Sequence, residues 1–164
     1  MKKRLLSILS STAVFCMMVI VSVIPTEASA TESKKVDGSY LTTEDSSTGY
    51  TTDDQTRGVY LMTGDCTISK AGRGKVYAYA STTANQEVKH MSTFVYVDQY
   101  LEDIDEWGQV ASWVESVEND IYMSTAKTVY VERGYYYRVR ARHIAGDEYP
   151  YEETASVTNG ILIN

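Results

Sequence analysis

The chain has 164 residues and a formal net charge of −7, with fifteen Lys and Arg against twenty-two Asp and Glu. An acidic balance of this kind argues against a nucleic-acid partner, because binding to phosphate backbones is driven by basic patches. Solubility outside the cell is the modest positive implication of the charge.

Residues 1–30 have the layout of a secretory signal peptide. Positive residues at positions 2–4 precede an apolar run from Leu5 to Ile24, and Ala28 and Ala30 form a small-residue cleavage site. We therefore expect a secreted, extracellular protein that meets the membrane only through this segment during export. An uncleaved anchor is the alternative, because the apolar run approaches the length of a membrane span.

Cleavage would leave a single cysteine. It would remove three of the basic residues and one of the acidic ones, giving a net charge of −9 with Cys66 as the remaining cysteine. Without disulfides the fold must depend on its core alone. A free secreted thiol can pair between chains or react. The alternative that we favour for "TGDCTISK" is a strand on which Cys66 and Ile68 share a buried face.

Two regions follow the signal peptide. Residues 31–58 are rich in Ser, Thr, Asp and Glu with almost no large aliphatics, which predicts a flexible polar leader. Residues 59–164 alternate short β-rich runs with turn residues such as "AGRG" and "LEDIDEWG". This pattern predicts an all-β fold, a single immunoglobulin-like or fibronectin-like antiparallel β-sandwich of about seven strands. The stretch "DEWGQVASWVESVEND" would also suit a short helix.

The run "VERGYYYRVRA" predicts a tyrosine corner. In immunoglobulin-like sandwiches a Tyr at the start of strand F bonds through its hydroxyl to the preceding crossover. Tyr137 fits this position, with Gly134 in the turn, and both are then structural residues. A plain hairpin turn at Arg133 and Gly134 is the alternative.

Period-two alternation then assigns an outward face to the same strand. If Tyr137 faces the core, its neighbours at even positions point away, and strand F lies beside strand C, "KHMSTFVYVDQY". The predicted shared surface, a candidate ligand site, comprises Phe94, Tyr96, Tyr136, Arg138, Arg140 and Arg142. Aromatic faces stack on ligand planes, and guanidinium groups grip carboxylates or phosphates. The alternative is that the arginine stems cover the rings while their heads pair with Asp98, Glu152 or Glu153.

Catalytic signatures are missing from the sequence. It has no H-E-x-x-H, G-x-S-x-G, P-loop, dinucleotide or C-x-x-C motif, so we expect no enzyme and no cofactor. A nucleophile pair of Cys66 with His143 is conceivable but nothing in the sequence favours it. His90 and His143 are expected near one end of the sheet on opposite faces.

The turn "EDIDE" offers a weak calcium candidate in Glu102, Asp103, Asp105 and Glu106. It lacks the spacing and the glycine of an EF-hand loop. A solvated hairpin loop is the ordinary interpretation, and we expect no metal.

Three segments carry a resemblance: "GKVYAYASTTANQEV", "VYVDQY" followed by Trp107, and "KTVYVERGYYYRVRARH". Together they resemble a family of small secreted β-rich proteins from Gram-positive bacteria, classed as a domain of unknown function. The resemblance covers residues 58–164 and implies export and a compact β domain. It implies no activity, substrate or catalytic residue.

The sequence therefore predicts a secreted, non-catalytic binding module. Its ligand would be an extracellular polysaccharide, for example of the cell wall, or a protein surface. The alternative is a secreted antibacterial or signalling protein that acts on another cell. Fold analogy by itself is a weak basis for either function.

Overall fold

Runs of Val, Tyr and Thr, whose side chains fit a pleated surface, form the strands of this chain. The structure is a computed structural model that describes residues 33–51 and 58–164. The predicted signal peptide, together with positions 31, 32 and 52–57 of the predicted leader, falls outside the described residues. The strands are β1 Lys35–Val36, β2 Ser39–Thr42, β3 Ser46–Tyr50, β4 Leu61–Lys70, β5 Lys75–Val88, β6 His90–Leu101, β7 Glu106–Val117, β8 Asp120–Tyr130, β9 Tyr135–Gly146, β10 Glu152–Val157 and β11 Gly160–Ile163.

These strands form two sheets that pack as a β-sandwich. The larger sheet has seven strands in the order β1-β2-β11-β9-β6-β7, with β10 paired to β9 on the same side as β11. The smaller sheet has the order β3-β4-β5-β8. The described pairings are antiparallel apart from that of β11 with β2. The predicted all-β sandwich is confirmed, with eleven strands in the described residues rather than about seven.

The central strands have the order of an immunoglobulin-like sandwich. β4, β5 and β8 take the places of strands A, B and E, and β7, β6, β9 and β10 take those of C′, C, F and G. As predicted, strands β6 and β9 are antiparallel neighbours, from the pair His90 and Gly146 to the pair Gln99 and Tyr137. The outer face of this pair is therefore one continuous surface.

The core lies between the two sheets. Alternation turns Val76, Ala78 and Ala80 of β5 inward, where they form one cluster with residues of β6 and β9. Cys66 is fully buried in this cluster beside Ile68, as we favoured from its sequence context over an accessible, reactive thiol. Burial raises the pKa of the Cys66 thiol to about 12, so the thiol stays protonated at neutral pH.

The segment predicted as a flexible leader is ordered over its described part, which corrects that prediction. It supplies β1 and β2 to the larger sheet and β3 to the smaller one. Asp37 and Gly38 have φ angles of 44° and 81°, as expected for a two-residue type I′ turn between β1 and β2. The prediction considered only apolar side chains, whereas these strands are held by main-chain pairing to existing sheet edges.

The segment for which a short helix was the alternative is strand β7. It pairs with β6 along its length, with one bulge beside Val97 and Asp98. Among the described residues no helix is long and apolar enough to cross a membrane.

Candidate functional site

The outer face of β6 and β9 carries arginines packed over aromatic rings. Phe94 lies opposite Arg142 in the register of the two strands, and Tyr96 lies opposite Arg140. The guanidinium carbon of Arg142 is 5.6 Å from the centre of the Phe94 ring, and that of Arg140 is 4.9 Å from the centre of the Tyr96 ring. We call this surface the arginine ladder. It comprises Phe94, Tyr96, Trp107, Arg138, Arg140 and Arg142.

Arg138 is the covered end of the arginine ladder. Its side chain is 2 % exposed, and its guanidinium carbon lies 4.4 Å from the centre of the Trp107 ring. Its Nη2 donates to the Asp37 carboxylate at 2.7 Å, and its Nε donates to Asp98 at 3.2 Å. Nη1 donates to the Asp37 carbonyl oxygen at 2.9 Å and to the Ser39 hydroxyl at 3.1 Å. Arg138 is therefore buried and hydrogen-bonded to its own chain, whereas the sequence predicted it on an exposed ligand surface.

Acidic side chains also hold the other two arginines. Arg140 donates from Nε to Asp98 Oδ2 at 2.5 Å and from Nη2 to Oδ1 at 3.2 Å, which raises the pKa of its guanidinium. Arg142 donates from Nε and Nη2 to the two oxygens of Glu153, at 2.6 and 2.7 Å. This fork lowers the pKa of the Glu153 carboxyl. The three positive charges are thus matched by three carboxylates.

Two of the three acids are those that the alternative interpretation named. Asp98 is 1 % exposed and lies between two arginines, and Glu153 lies on the neighbouring strand β10. Glu152, the third acid considered, does not reach the arginine ladder. Its carboxylate accepts hydrogen bonds from the backbone N–H groups of residues 59–61 at 2.7 to 2.9 Å, and so fastens β10 to the start of β4.

The accessible part of the arginine ladder borders a shallow depression. The side chains of Arg140 and Arg142 are 40 % and 46 % exposed. Beside them lies a depression of about 250 Å³ whose lining combines Tyr96, Ala155 and Val157 with the arginines and Asp37. Apolar side chains beside guanidinium groups suit a ligand with a flat apolar side and hydrogen-bond acceptors.

Tyr136 lies apart from this depression. It precedes Arg138 by two residues on β9 and pairs with Leu162 of β11. It lines a separate depression of about 250 Å³ with Lys34, Tyr100 and Tyr135. The structure therefore brings together five of the six predicted surface residues and separates Tyr136 from them.

Tyr137 and Gly134 occupy the positions that a tyrosine corner requires. The Tyr137 side chain is buried, and its hydroxyl donates to the carbonyl oxygen of Glu132 at 2.9 Å. Glu132 belongs to the crossover between β8 and β9, which correspond to strands E and F. Gly134 has a φ of 89°, in the left-handed region that favours glycine.

The acidic turn does not assemble a cation site. Glu102, Asp103, Asp105 and Glu106 are all exposed. The Asp105 carboxylate accepts a hydrogen bond from the Tyr100 hydroxyl at 2.8 Å and pairs with Lys34 at 2.8 Å. Within the described part of the chain no group of three or more His, Cys, Asp or Glu side chains is placed to hold a metal ion.

The core histidine lies among hydroxyl groups between the sheets. His143 is fully buried, with Nδ1 2.9 Å from the Thr82 hydroxyl and Nε2 2.8 Å from the Ser156 hydroxyl. Burial lowers the pKa of its imidazole to about 4. Gly64 lies against the imidazole, and a Cβ added there would lie 2.3 Å from the ring. His143 is thus a neutral, enclosed core residue at neutral pH.

His90 lies on the outer side of the same end of the sheet, as the alternation predicted. Its ring stacks on Tyr151 with 4.8 Å between the ring centres, and its Nε2 is 2.7 Å from the Ser92 hydroxyl. The two histidines therefore do not meet.

Sequence reasoning missed two residues that contact Arg138. Trp107, the second residue of β7, covers its guanidinium, while Asp37 lies in the β1–β2 turn of the predicted leader and pairs with the same group. The signal that was available is the turn "VDGSY", since Asp-Gly between short extended runs favours a hairpin. Nothing in the sequence connects that hairpin to β9.

A scan of the chain against models of protein families matches none of them, and a search among curated proteins finds no match either.

Proposed function

We propose that this protein is a secreted, non-catalytic binding module and that the accessible half of the arginine ladder is its ligand site. The observation that carries the proposal is the depression beside Tyr96, Arg140 and Arg142. There, the Tyr96 ring, small apolar residues and the half-exposed side chains of Arg140 and Arg142 lie on one surface. The ligand class is an extracellular polysaccharide or a protein surface.

The charge balance of the arginine ladder narrows the chemistry of that ligand. Each arginine already has a carboxylate partner, so the surface has little net charge to attract a polyanion. A ligand with neutral acceptors, or with one carboxylate that competes with Glu153 for Arg142, fits better. A ligand carboxylate would displace Glu153 most readily, because both side chains of the Arg142–Glu153 pair are about half exposed.

The burial and protonation states of Cys66 and His143 support the proposal that the module is non-catalytic. The Cys66 thiol has a raised pKa and the His143 imidazole a lowered one, both because of burial. Neither group reaches the surface, where a substrate would bind. A nucleophile needs the opposite arrangement, an accessible thiol with a lowered pKa.

Export and family membership remain part of the proposal. The predicted signal peptide supports secretion, and the tyrosine-rich strand pattern supports kinship with the secreted Gram-positive family of unknown function. Mass measurement of the protein from culture medium would test export, with cleavage after Ala30 as the expected result.

Pull-down by purified Gram-positive cell walls tests the binding site. We expect the wild-type protein to be retained, and a double variant, Arg140→Gln with Arg142→Gln, to lose about tenfold or more in affinity. Arg73→Gln is the matched control because Arg73 is exposed in the turn between β4 and β5. Retention of the double variant at wild-type affinity, with its fold intact by circular dichroism, would overturn the site. Killing or inhibition of neighbouring strains without any retention would favour the antibacterial alternative.

A further inference from the structure

The outer face of the smaller sheet is built almost entirely from tyrosine and small hydroxyl residues. Its strands alternate strictly, so one set of side chains enters the core while the other faces solvent. We call the outward set the tyrosine face. It comprises Ser46, Thr48 and Tyr50 of β3, Thr63, Asp65, Thr67 and Ser69 of β4, Lys75, Tyr77, Tyr79, Ser81 and Thr83 of β5, and Tyr122, Ser124, Ala126, Thr128 and Tyr130 of β8.

This surface has almost no charge, although the chain as a whole is acidic. Within the outward set, Asp65 and Lys75 are the two residues that are charged at neutral pH, and their charges have opposite signs. The Asp65 carboxylate accepts a hydrogen bond from the Ser81 hydroxyl, and the Lys75 ammonium lies 5.0 Å from the centre of the Tyr130 ring. With one charge of each sign the tyrosine face is neutral, in a protein whose net charge is −7.

Four of the tyrosines form a row along β5 and β8. Register places Tyr130 beside Lys75, Tyr77 two residues further along, Tyr79 next, and Tyr122 beside Thr83 at the far end. The row spans eight residue steps, which is about 27 Å at roughly 3.4 Å per residue. Tyr77, Tyr122 and Tyr130 are 40 %, 46 % and 79 % exposed.

The rings of Tyr79 and Tyr122, the last two of the row, lean toward each other along the sheet. The two residues are four register steps apart, about 14 Å along the strands, yet their hydroxyl oxygens are 3.0 Å apart. Both side chains therefore extend along the sheet past the small residues Ser124 and Ala126. The two tyrosines thereby form one aromatic surface joined by their hydroxyl groups.

The scaffold beneath the tyrosine face is continuous. β5 has fourteen residues and β8 has eleven, and they pair from Lys75 to Thr83 without a bulge. A cross-strand hydrogen bond of 2.9 Å joins the Thr48 and Thr67 hydroxyls on the same face. Tyrosine offers large contact area with few rotatable bonds, so little conformational entropy is lost when such a surface binds.

We propose that the tyrosine face binds a neutral, linear polysaccharide that lies along the row from Tyr130 to Tyr122. Flat rings pack against the apolar side of sugar rings, and the Tyr, Ser and Thr hydroxyls exchange hydrogen bonds with sugar hydroxyls. The row follows the strands for about 27 Å, which fits an extended polymer. Neutral polymers match the uncharged face, whereas a polyanion would meet an acidic protein with no basic patch there to hold it.

A protein partner is the less suitable occupant. Protein interfaces surround an aromatic centre with a polar rim that often includes arginine. Here the tyrosines form a row that reaches both ends of the face, and the nearest cation, Lys75, already lies over Tyr130. The proposal goes beyond the ligand site on the arginine ladder and uses none of its residues.

Affinity gel electrophoresis tests the proposal. The purified protein is run in native gels that contain mixed-linkage β-glucan, glycol chitin or galactomannan as neutral polymers, or polygalacturonate as the polyanion. We expect retardation by at least one neutral polymer and none by polygalacturonate. Tyr77→Ser combined with Tyr130→Ser should lower the affinity about tenfold or more. Tyr77→Phe should keep most of it, because the ring remains.

Two controls make the outcome specific. Tyr40→Ser removes a tyrosine of similar exposure, 43 %, from β2 of the other sheet and should bind like the wild type. Tyr149→Ser removes a tyrosine that is 87 % exposed between β9 and β10 and should also bind like the wild type, which separates this face from exposed tyrosine in general. Migration unaffected by all three neutral polymers overturns the proposal, as does equal loss with Tyr40→Ser. Binding to bacterial cells that protease abolishes and periodate spares would assign the face to a protein partner instead, and would also overturn it.

Discussion

The two outer faces of the sandwich are both aromatic, but only one of them is covered by the protein itself. On the arginine ladder every ring carries a guanidinium within 5.6 Å, and every guanidinium is paired with a carboxylate. On the tyrosine face Tyr79 and Tyr122 share a hydrogen bond between their hydroxyl groups, and Tyr77, Tyr122 and Tyr130 remain partly exposed. Aromatic content in a sequence therefore does not identify a binding surface. What covers the rings decides their role.

This difference has an energetic consequence. Side chains of the arginine ladder join β6 and β9 to the β1–β2 turn, β7 and β10. On the tyrosine face the hydrogen bond between Tyr79 and Tyr122 joins only β5 and β8. We therefore expect substitutions at the covered end of the arginine ladder to lower stability most, and substitutions on the tyrosine face to lower it least.

Asp98→Ala should produce the largest effect. Asp98 is 1 % exposed and holds Arg138 and Arg140 together. Its removal would leave the buried Arg138 with a single carboxylate partner, Asp37, and breaking a buried pair costs about 3 to 5 kcal/mol. Urea unfolding measures this loss. A change below about 1 kcal/mol, the range of a surface pair, would contradict the structural role of the arginine ladder.

The stability of the protein should depend on pH through His143, which is buried between the two sheets. The pKa of His143 falls from 6.5 to about 4 in the folded protein. Between these values the unfolded chain takes up a proton that the folded chain does not, so stability falls as the pH drops through this window. The full contribution is roughly 3 kcal/mol, since one pKa unit corresponds to about 1.4 kcal/mol.

Denaturant unfolding from pH 7 to pH 4 measures this dependence. Carboxylates titrate over part of the same range, so the informative quantity is the difference between the wild type and His143→Gln. His90→Gln is the matched control, because His90 lies on the surface side of β6. Parallel stability curves for the wild type and His143→Gln would contradict a neutral His143.

Tyr137→Phe tests the corner that joins the two sheets. The substitution removes the hydrogen bond to Glu132 and keeps the ring in the core. We expect a loss of about 1 kcal/mol, the net value of a typical hydrogen bond. Tyr135→Phe, at a partly exposed position two residues earlier, should change stability much less. Equal losses in the two variants would remove the special role of Tyr137.

How far the sequence predicts this molecule depends on whether its signals are local. Alternation in β6 and β9 is local and correctly placed Phe94, Tyr96 and the arginines on one surface. The tyrosine at the start of β9 was recognisable because its hydroxyl bonds only five residues back. Such features follow from strand geometry and turn chemistry.

Long-range contacts limit the prediction. Asp37 pairs with Arg138 across 101 residues, and Trp107 donates to the Val36 carbonyl oxygen across 71. The order of the leader depends on these contacts, which composition does not encode. The tyrosine face had a local signal in "VYAYAS", where Tyr and Ala alternate, but its meaning depends on the register of β8 with β5.

Arg142→Gln should have a small effect on stability. Its pair with Glu153 is about half exposed on both sides, so solvent screens it. We expect a loss of about 1 kcal/mol or less. The double variant with Glu153→Gln should be no less stable than the single one, because it leaves no unpaired carboxylate. A loss as large as that of Asp98→Ala would show that the accessible end of the arginine ladder is structural too, and would weaken it as a ligand site.

Tyr77→Ser should change stability least, and this result matters most for the comparison of the two faces. Tyr77 is 40 % exposed on a strand whose main-chain pairing the substitution leaves intact, so we expect a change within about 0.5 kcal/mol. Thermal unfolding of this variant beside Arg142→Gln measures the difference directly. If Tyr77→Ser costs as much as a substitution in the arginine ladder, the tyrosines stabilise the smaller sheet. Their contribution to stability would then explain why these tyrosines lie on the surface, and no ligand would be needed to explain it.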